Sequence, residues 1–158
     1  MKRILPLLLL LPLLLSCAPA TRYAALPVDE LAEVALDALN GEEYLLDTVG
    51  ITDDYFSMPD YVESHAIFYC KRTECIDEIG LFHVERGHAE ELAALLRTAY
   101  LSPAYEKNRD FYDSYIPKET PKLRDARVEC YGDTVVYAIL SPADQSALFS
   151  ALKKALTE

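Results

Sequence analysis

The order in which hydrophobic periods follow one another predicts an α+β fold. The expected architecture is an antiparallel sheet built from two β-hairpins and packed with about three α-helices, in the order α-ββ-α-ββ-α. Runs of period two arrive in adjacent pairs, residues 61–70 with 75–86 and 127–131 with 134–140, rather than singly between helices as a parallel sheet requires. Runs of helical period precede, separate and follow these pairs.

The first helix is marked by Leu31, Val34, Ala35, Ala38 and Leu39, with Asp29 and Glu30 at its front and Asn40-Gly41 as a stop. Residues 42–60 lose any regular period at Gly50, Asp53, Asp54 and Met58-Pro59, and predict irregular structure with one short helical turn. From Tyr61 the period becomes two: Val62, Ala66, Phe68 and Cys70 share one face, and Glu63, His65 and Lys71 the other. Residues 71–74 then turn the chain into a second strand carrying Ile76, Ile79, Leu81, Phe82 and Val84. Pairing Cys70 with Cys75 across that turn sets His65 opposite Gly80 and His83 opposite Val62, so the two histidines lie on opposite faces.

Gly87 punctuates the chain, and Glu90 and Glu91 open a helix with the stripe Leu92, Leu95, Leu96 and Ala99. Ser102-Pro103 either kinks this helix or caps a successor, and Pro117 and Pro121 bound a connection. Gly132-Asp133 is a two-residue hairpin turn that aligns Val128 and Cys130 with Val135, Tyr137 and Ile139 as a core face. Ser141, Pro142 and Asp144 read as N-cap, first-turn proline and acidic N3 residue ahead of Leu148, Phe149, Leu152, Ala155 and Leu156. Lys153 and Lys154 suit the negative end of that helix dipole.

The first 16 residues carry an address. Lys2 and Arg3 precede a run of Ile, Leu and Pro over residues 4–15, the texture of a secretory signal and too short to span a bilayer. Leu14-Leu15-Ser16-Cys17 resembles the lipobox of bacterial lipoproteins. The resemblance implies cleavage between Ser16 and Cys17 and diacylglycerylation of Cys17, whose acyl chains suffice for stable anchoring. The domains expected are therefore a signal peptide over 1–16, a lipidated cysteine and tether over 17–27, and one α+β domain over 28–158. The membrane becomes a partner through acylated Cys17, and the domain sits at the extracytoplasmic face.

Cleavage would leave 142 residues with 13 cationic and 26 acidic side chains, a formal charge of −13. Such a field excludes nucleic acid as a partner. Beyond Cys17 the cysteines are Cys70, Cys75 and Cys130. A Cys70–Cys75 disulfide across a tight turn is geometrically allowed, with buried thiols as the alternative.

Asp77-Glu78-Ile79-Gly80-Leu81-Phe82, Tyr115-Ile116-Pro117-Lys118-Glu119 and Gly132-Asp133-Thr134-Val135-Val136 resemble a family of small bacterial lipoproteins described only as a domain of unknown function. The likeness covers roughly residues 28–156. It implies a lipid-anchored extracytoplasmic domain and supplies no catalytic or ligand residues.

The residues themselves offer few chemical motifs. His83 and His88 with Glu85, Glu90 and Glu91 form the most ligand-rich stretch, but without His-x3-His spacing for zinc. Asp53 and Asp54 lack the rest of a calcium loop. No nucleophile elbow or phosphate-cradling glycine loop is present, so the sequence predicts neither enzyme nor cofactor. The cluster Tyr100, Tyr105, Phe111, Tyr112 and Tyr115 offers rigid amphipathic contact area for binding, with the packing of a helix onto the sheet as the blander reading. The expected function is a non-catalytic docking module for an envelope protein. A small-ligand or metal-binding lipoprotein is the alternative, and an envelope hydrolase the more remote one.

Overall fold

Five strands form one antiparallel sheet in the computed structural model, which describes residues 22–47 and 57–157. Along the chain these are β1 (Tyr44–Leu46), β2 (Val62–Cys70), β3 (Glu78–Val84), β4 (Arg127–Tyr131) and β5 (Thr134–Ile139), arranged β1-β2-β3-β5-β4. The two expected hairpins are present. They join side by side through β3 and β5, with Gly80 opposite Tyr137 and Phe82 opposite Val135.

Strand β1 is the addition to the four strands expected. Its main chain extends the sheet beyond β2, pairing Tyr44 with Cys70 and Leu46 with Phe68. Three residues are too few to show a period, and Leu45 and Leu46 remain exposed, so side-chain pattern could not mark it.

Helices cover both faces. On one, α1 (Val28–Asp37) and α5 (Pro142–Leu156) bury Leu31, Ala35, Leu148 and Leu152 against Phe68, Ile79, Leu81, Val136 and Ala138. On the other lie α2 (Ala89–Leu95), α3 (Ser102–Tyr115) and the short α4 (Thr120–Arg124). Leu92, Leu96, Tyr100 and Leu123 pack there on Ile67, Phe82, Val84, Val135 and Tyr137. Val128, Val135, Tyr137 and Ile139 share this second core as expected, with Cys130 packed at its margin. Being covered on both sides, β5 is buried along its whole length and shows no polar alternation.

Helices α2 and α3 are joined without a loop by a π-helical segment, Leu96–Leu101. Ser102 donates its N–H to the Arg97 carbonyl five residues back. Pro103 has no N–H to continue the ordinary ladder, and a widened turn accommodates that loss. The Ser102-Pro103 break is therefore neither cap nor sharp stop. At α5, Ser141 Oγ accepts from the Asp144 N–H at 3.2 Å and donates to Asp144 Oδ2 at 2.7 Å. This is the cap the sequence predicts.

Two expectations need correction. The β2–β3 register pairs Tyr69 with Glu78, His65 with Phe82 and Ile67 with Gly80, because the connection runs over residues 71–77 and is no tight turn. Cys70 donates its N–H to the Asp77 carbonyl at 2.9 Å, so Cys70 and Cys75 are not directly opposed. Tyr23 and Ala24, expected within a tether over 17–27, also lie on the domain. Tyr23 bridges Thr157, Ala24 donates to the Leu156 carbonyl at 2.8 Å, and the Tyr23 ring meets Tyr131 edge-on at 5.6 Å.

Candidate functional site

A cavity of about 240 Å³ opens at the Glu78 end of β3, on the face covered by α2, α3 and α4. Tyr69, Glu78 and Ile139 form its floor on the sheet. Tyr100 from the π-helical segment and Ala104, Asn108 and Tyr112 from α3 form one wall. The hairpin connection closes it with Cys75, Ile76 and Asp77.

Glu78 is the chemical centre of this space. The hydroxyls of Tyr100 and Tyr137 both donate to its Oε1, each at 2.5 Å. Each tyrosine is placed by a specific backbone feature. Tyr137 crosses β3 over Gly80, where a Cβ would lie 2.1 Å from Tyr137 Cε1, so only glycine lets the ring lie there. Tyr100 stands in the widened helical turn before Pro103 and meets the Tyr137 ring at 5.5 Å and 62°.

No described hydrogen bond reaches Glu78 Oε2, and the residue keeps partial exposure on the cavity it lines. Burial pushes the carboxyl above its ordinary value. The two tyrosine hydroxyls pull in the opposite direction, and the Asp47 charge adds to the rise. Burial likewise drives the Tyr137 hydroxyl well upward, helped by the Glu78 charge, so it remains a donor.

A separate ion-pair group adjoins the cavity. Lys122 Nζ lies 2.6 Å from Asp77 Oδ1 and 2.8 Å from Glu119 Oε2, and Glu119 Oε2 also accepts the Ile76 N–H at 3.2 Å. Burial opposes the Lys122 charge, and bonds to Asp77 and Glu119 outweigh it, holding the ammonium above its ordinary value. Donor atoms of Cys75, Asp77 and Glu119 lie within 4.8 Å of one another. The Lys122 ammonium already serves these carboxylates as their cation, and burial pushes the Cys75 thiol up to about 11, away from the thiolate a metal needs.

The residues singled out from sequence are dispersed. Tyr100 and Tyr112 line the cavity, whereas Tyr105 faces Arg97, Leu123 and Arg124 near α4. Phe111 and Tyr115 stay 57% and 72% exposed, their ring centroids 4.8 Å apart and the planes tilted by 32°. His83 Nε2 lies 3.4 Å from Glu63, while His88 stacks on Tyr61 and bonds Glu91 at 2.9 Å. The structure thus does not gather His83, His88, Glu85, Glu90 and Glu91 into one ligand set among the described residues. Cys70 and Cys75 are thiols, each 3.5 Å from a nitrogen of Arg72. Ser16, Cys17, Asp53 and Asp54 lie outside the described residues.

Sequence reading passed over Glu78, Tyr137 and Tyr69. The available signal was an acid inside an apolar strand, two residues before a glycine in the same strand. Set beside known proteins, the chain finds no match: no family model, no curated protein and no solved structure matches it.

Proposed function

We propose that the protein is a membrane-tethered, extracytoplasmic binding domain that holds a small polar ligand in the cavity beside Glu78. The tether rests on the lipobox resemblance at Cys17. The observation that carries the binding reading is the part-buried carboxyl group on the cavity lining, with one oxygen taken by two tyrosine hydroxyls and no described hydrogen bond to the other. Few convergent polar groups in a partly apolar concavity are what a small-molecule site requires. Binding is favoured over turnover because burial pushes the thiols of Cys75 and Cys130 up to about 11, which leaves both poor nucleophiles.

A thermal-shift screen of purified protein against a library of small metabolites tests this. At least one compound should raise the midpoint of the wild type and leave Glu78→Gln unmoved. A library in which every hit acts equally on both proteins removes the cavity from consideration.

The exposed Phe111–Tyr115 ring pair supports a second reading, docking of an envelope protein on the end of α3. Crosslinking in intact cells should then capture a partner, and Phe111→Ser with Tyr115→Ser should abolish capture. Cys17→Ala serves as the untethered control, and undiminished capture by the double variant refutes docking at this ring pair.

A further inference from the structure

Resting on the reading of the cavity as a binding site, we propose that its ligand is a compact organic cation whose primary ammonium group donates to Glu78 Oε2. The charge pattern of the lining selects this class. No lysine, arginine or histidine lines the cavity among the described residues, whereas Asp77 and Glu78 both do. Asp77 is already met by Lys122 at 2.6 Å, so Glu78 is the lining acid with no ion-pair partner among the described residues. An anion entering here meets a carboxylate and no donor cation, and the molecule's formal charge of −11 opposes it further.

The two oxygens of Glu78 divide the roles. Oε1 is taken by the phenolic donors, and Oε2 accepts no hydrogen bond among the described residues, which leaves it as the acceptor for an N–H. A quaternary ammonium has no such hydrogen, so a primary head fits the acceptor better. Asn108 also lines the cavity, its side-chain nitrogen donating to the Ala104 carbonyl at 2.9 Å. Tyr69, Tyr100 and Tyr112 line the same space. A volume of about 240 Å³ holds roughly eight waters, which limits the ligand to about the size of an arylalkyl or short alkyl amine.

The test uses matched probes on the uniformly labelled full chain in detergent. Butylammonium and benzylammonium are titrated against butyrate and benzoate, and against butan-1-ol and benzyl alcohol, with backbone amide shifts as the readout. The ammonium ions should move the amides of Ile76, Glu78, Ala104 and Asn108. Glu78→Gln, which keeps Oε1 for the tyrosines, should weaken them on the order of tenfold or more. Ala104→Leu, which fills the cavity from α3 without altering charge, should weaken binding independently.

Carboxylates or alcohols moving these amides while the ammonium ions do not would overturn the cation class and leave the binding cavity standing. Silence from all six probes would overturn both readings. Ammonium binding unchanged in Glu78→Gln yet lost in Ala104→Leu would keep the cavity and remove Glu78 as its anchor.

Discussion

Glu78 makes stability depend on pH in a direction opposite to that of a salt-bridged acid. Its folded carboxyl titrates above the ordinary glutamate value of 4.5 because burial penalises the charged form. The stability it contributes is complete below that value and is lost as pH rises through the raised folded value. Urea midpoints of wild type and Glu78→Gln should therefore converge at about pH 4 and separate towards about pH 8 with the variant ahead. Parallel curves would contradict the assignment. Gly80→Ala tests the neighbouring packing: its methyl must displace the Tyr137 ring, costing about 2 kcal/mol or more, measurable by the same urea titration. Tyr137→Phe, which removes only the hydroxyl bond, should cost about 1 kcal/mol. These residues were hard to read in advance because binary pattern sends a strand acid outward. Nothing in the local sequence announces that two tyrosines, one from β5 and one from a π-helical turn, will meet it.

At the scale of elements, local chemistry was legible where it was self-contained. Ser141 and Asp144 cap α5 within one turn, so neighbouring residues sufficed to find the helix start. Ser141→Ala should cost about 1 kcal/mol in a urea titration, and a loss indistinguishable from zero would show that tertiary packing alone holds that helix end. Gly132-Asp133 specified its hairpin for the same reason. The β2–β3 connection did not behave so, since residues outside the hairpin help shape it: Lys71 donates its N–H to the Glu43 carbonyl at 2.8 Å, and Glu74 adopts φ 64°. The register consequently slipped by two residues from the expected one. A slip of two preserves the faces from Ser64 to Tyr69, so His65 and His83 still lie on opposite sides of the sheet. The irregularity between Val62 and Ser64 instead turns Val62 to the Phe82 face, away from Ala66 and Phe68 whose face it was expected to share. Strand β1 was illegible because main-chain bonds to β2, rather than side-chain alternation, define it.

For the whole molecule, the α+β class and the order of helices and hairpins were readable, while the double coverage of the sheet was not. A core on one face satisfies each hairpin taken alone. Only the separation of α1 and α5 from α2, α3 and α4 places a second core behind the first. The excess of acids is likewise a global property: with a formal charge of −11, self-repulsion opposes compaction. The thermal midpoint should rise between about 10 mM and about 150 mM NaCl as the screening length falls from roughly 30 Å to roughly 8 Å. A falling midpoint would show that attractive pairs such as Arg72 with Glu43 outweigh the general repulsion.

The chain enters the domain at one end of the sheet, and the cavity opens at the other. Tyr23 lies against Gly132, beside the Val84 end of β3, whereas Glu78 stands at the opposite end, roughly 20 Å along the strand. The proposed attachment ahead of Tyr23 would therefore hold the domain by the end of the sheet remote from Glu78, so that the anchored end and the binding end of the molecule would be opposite poles.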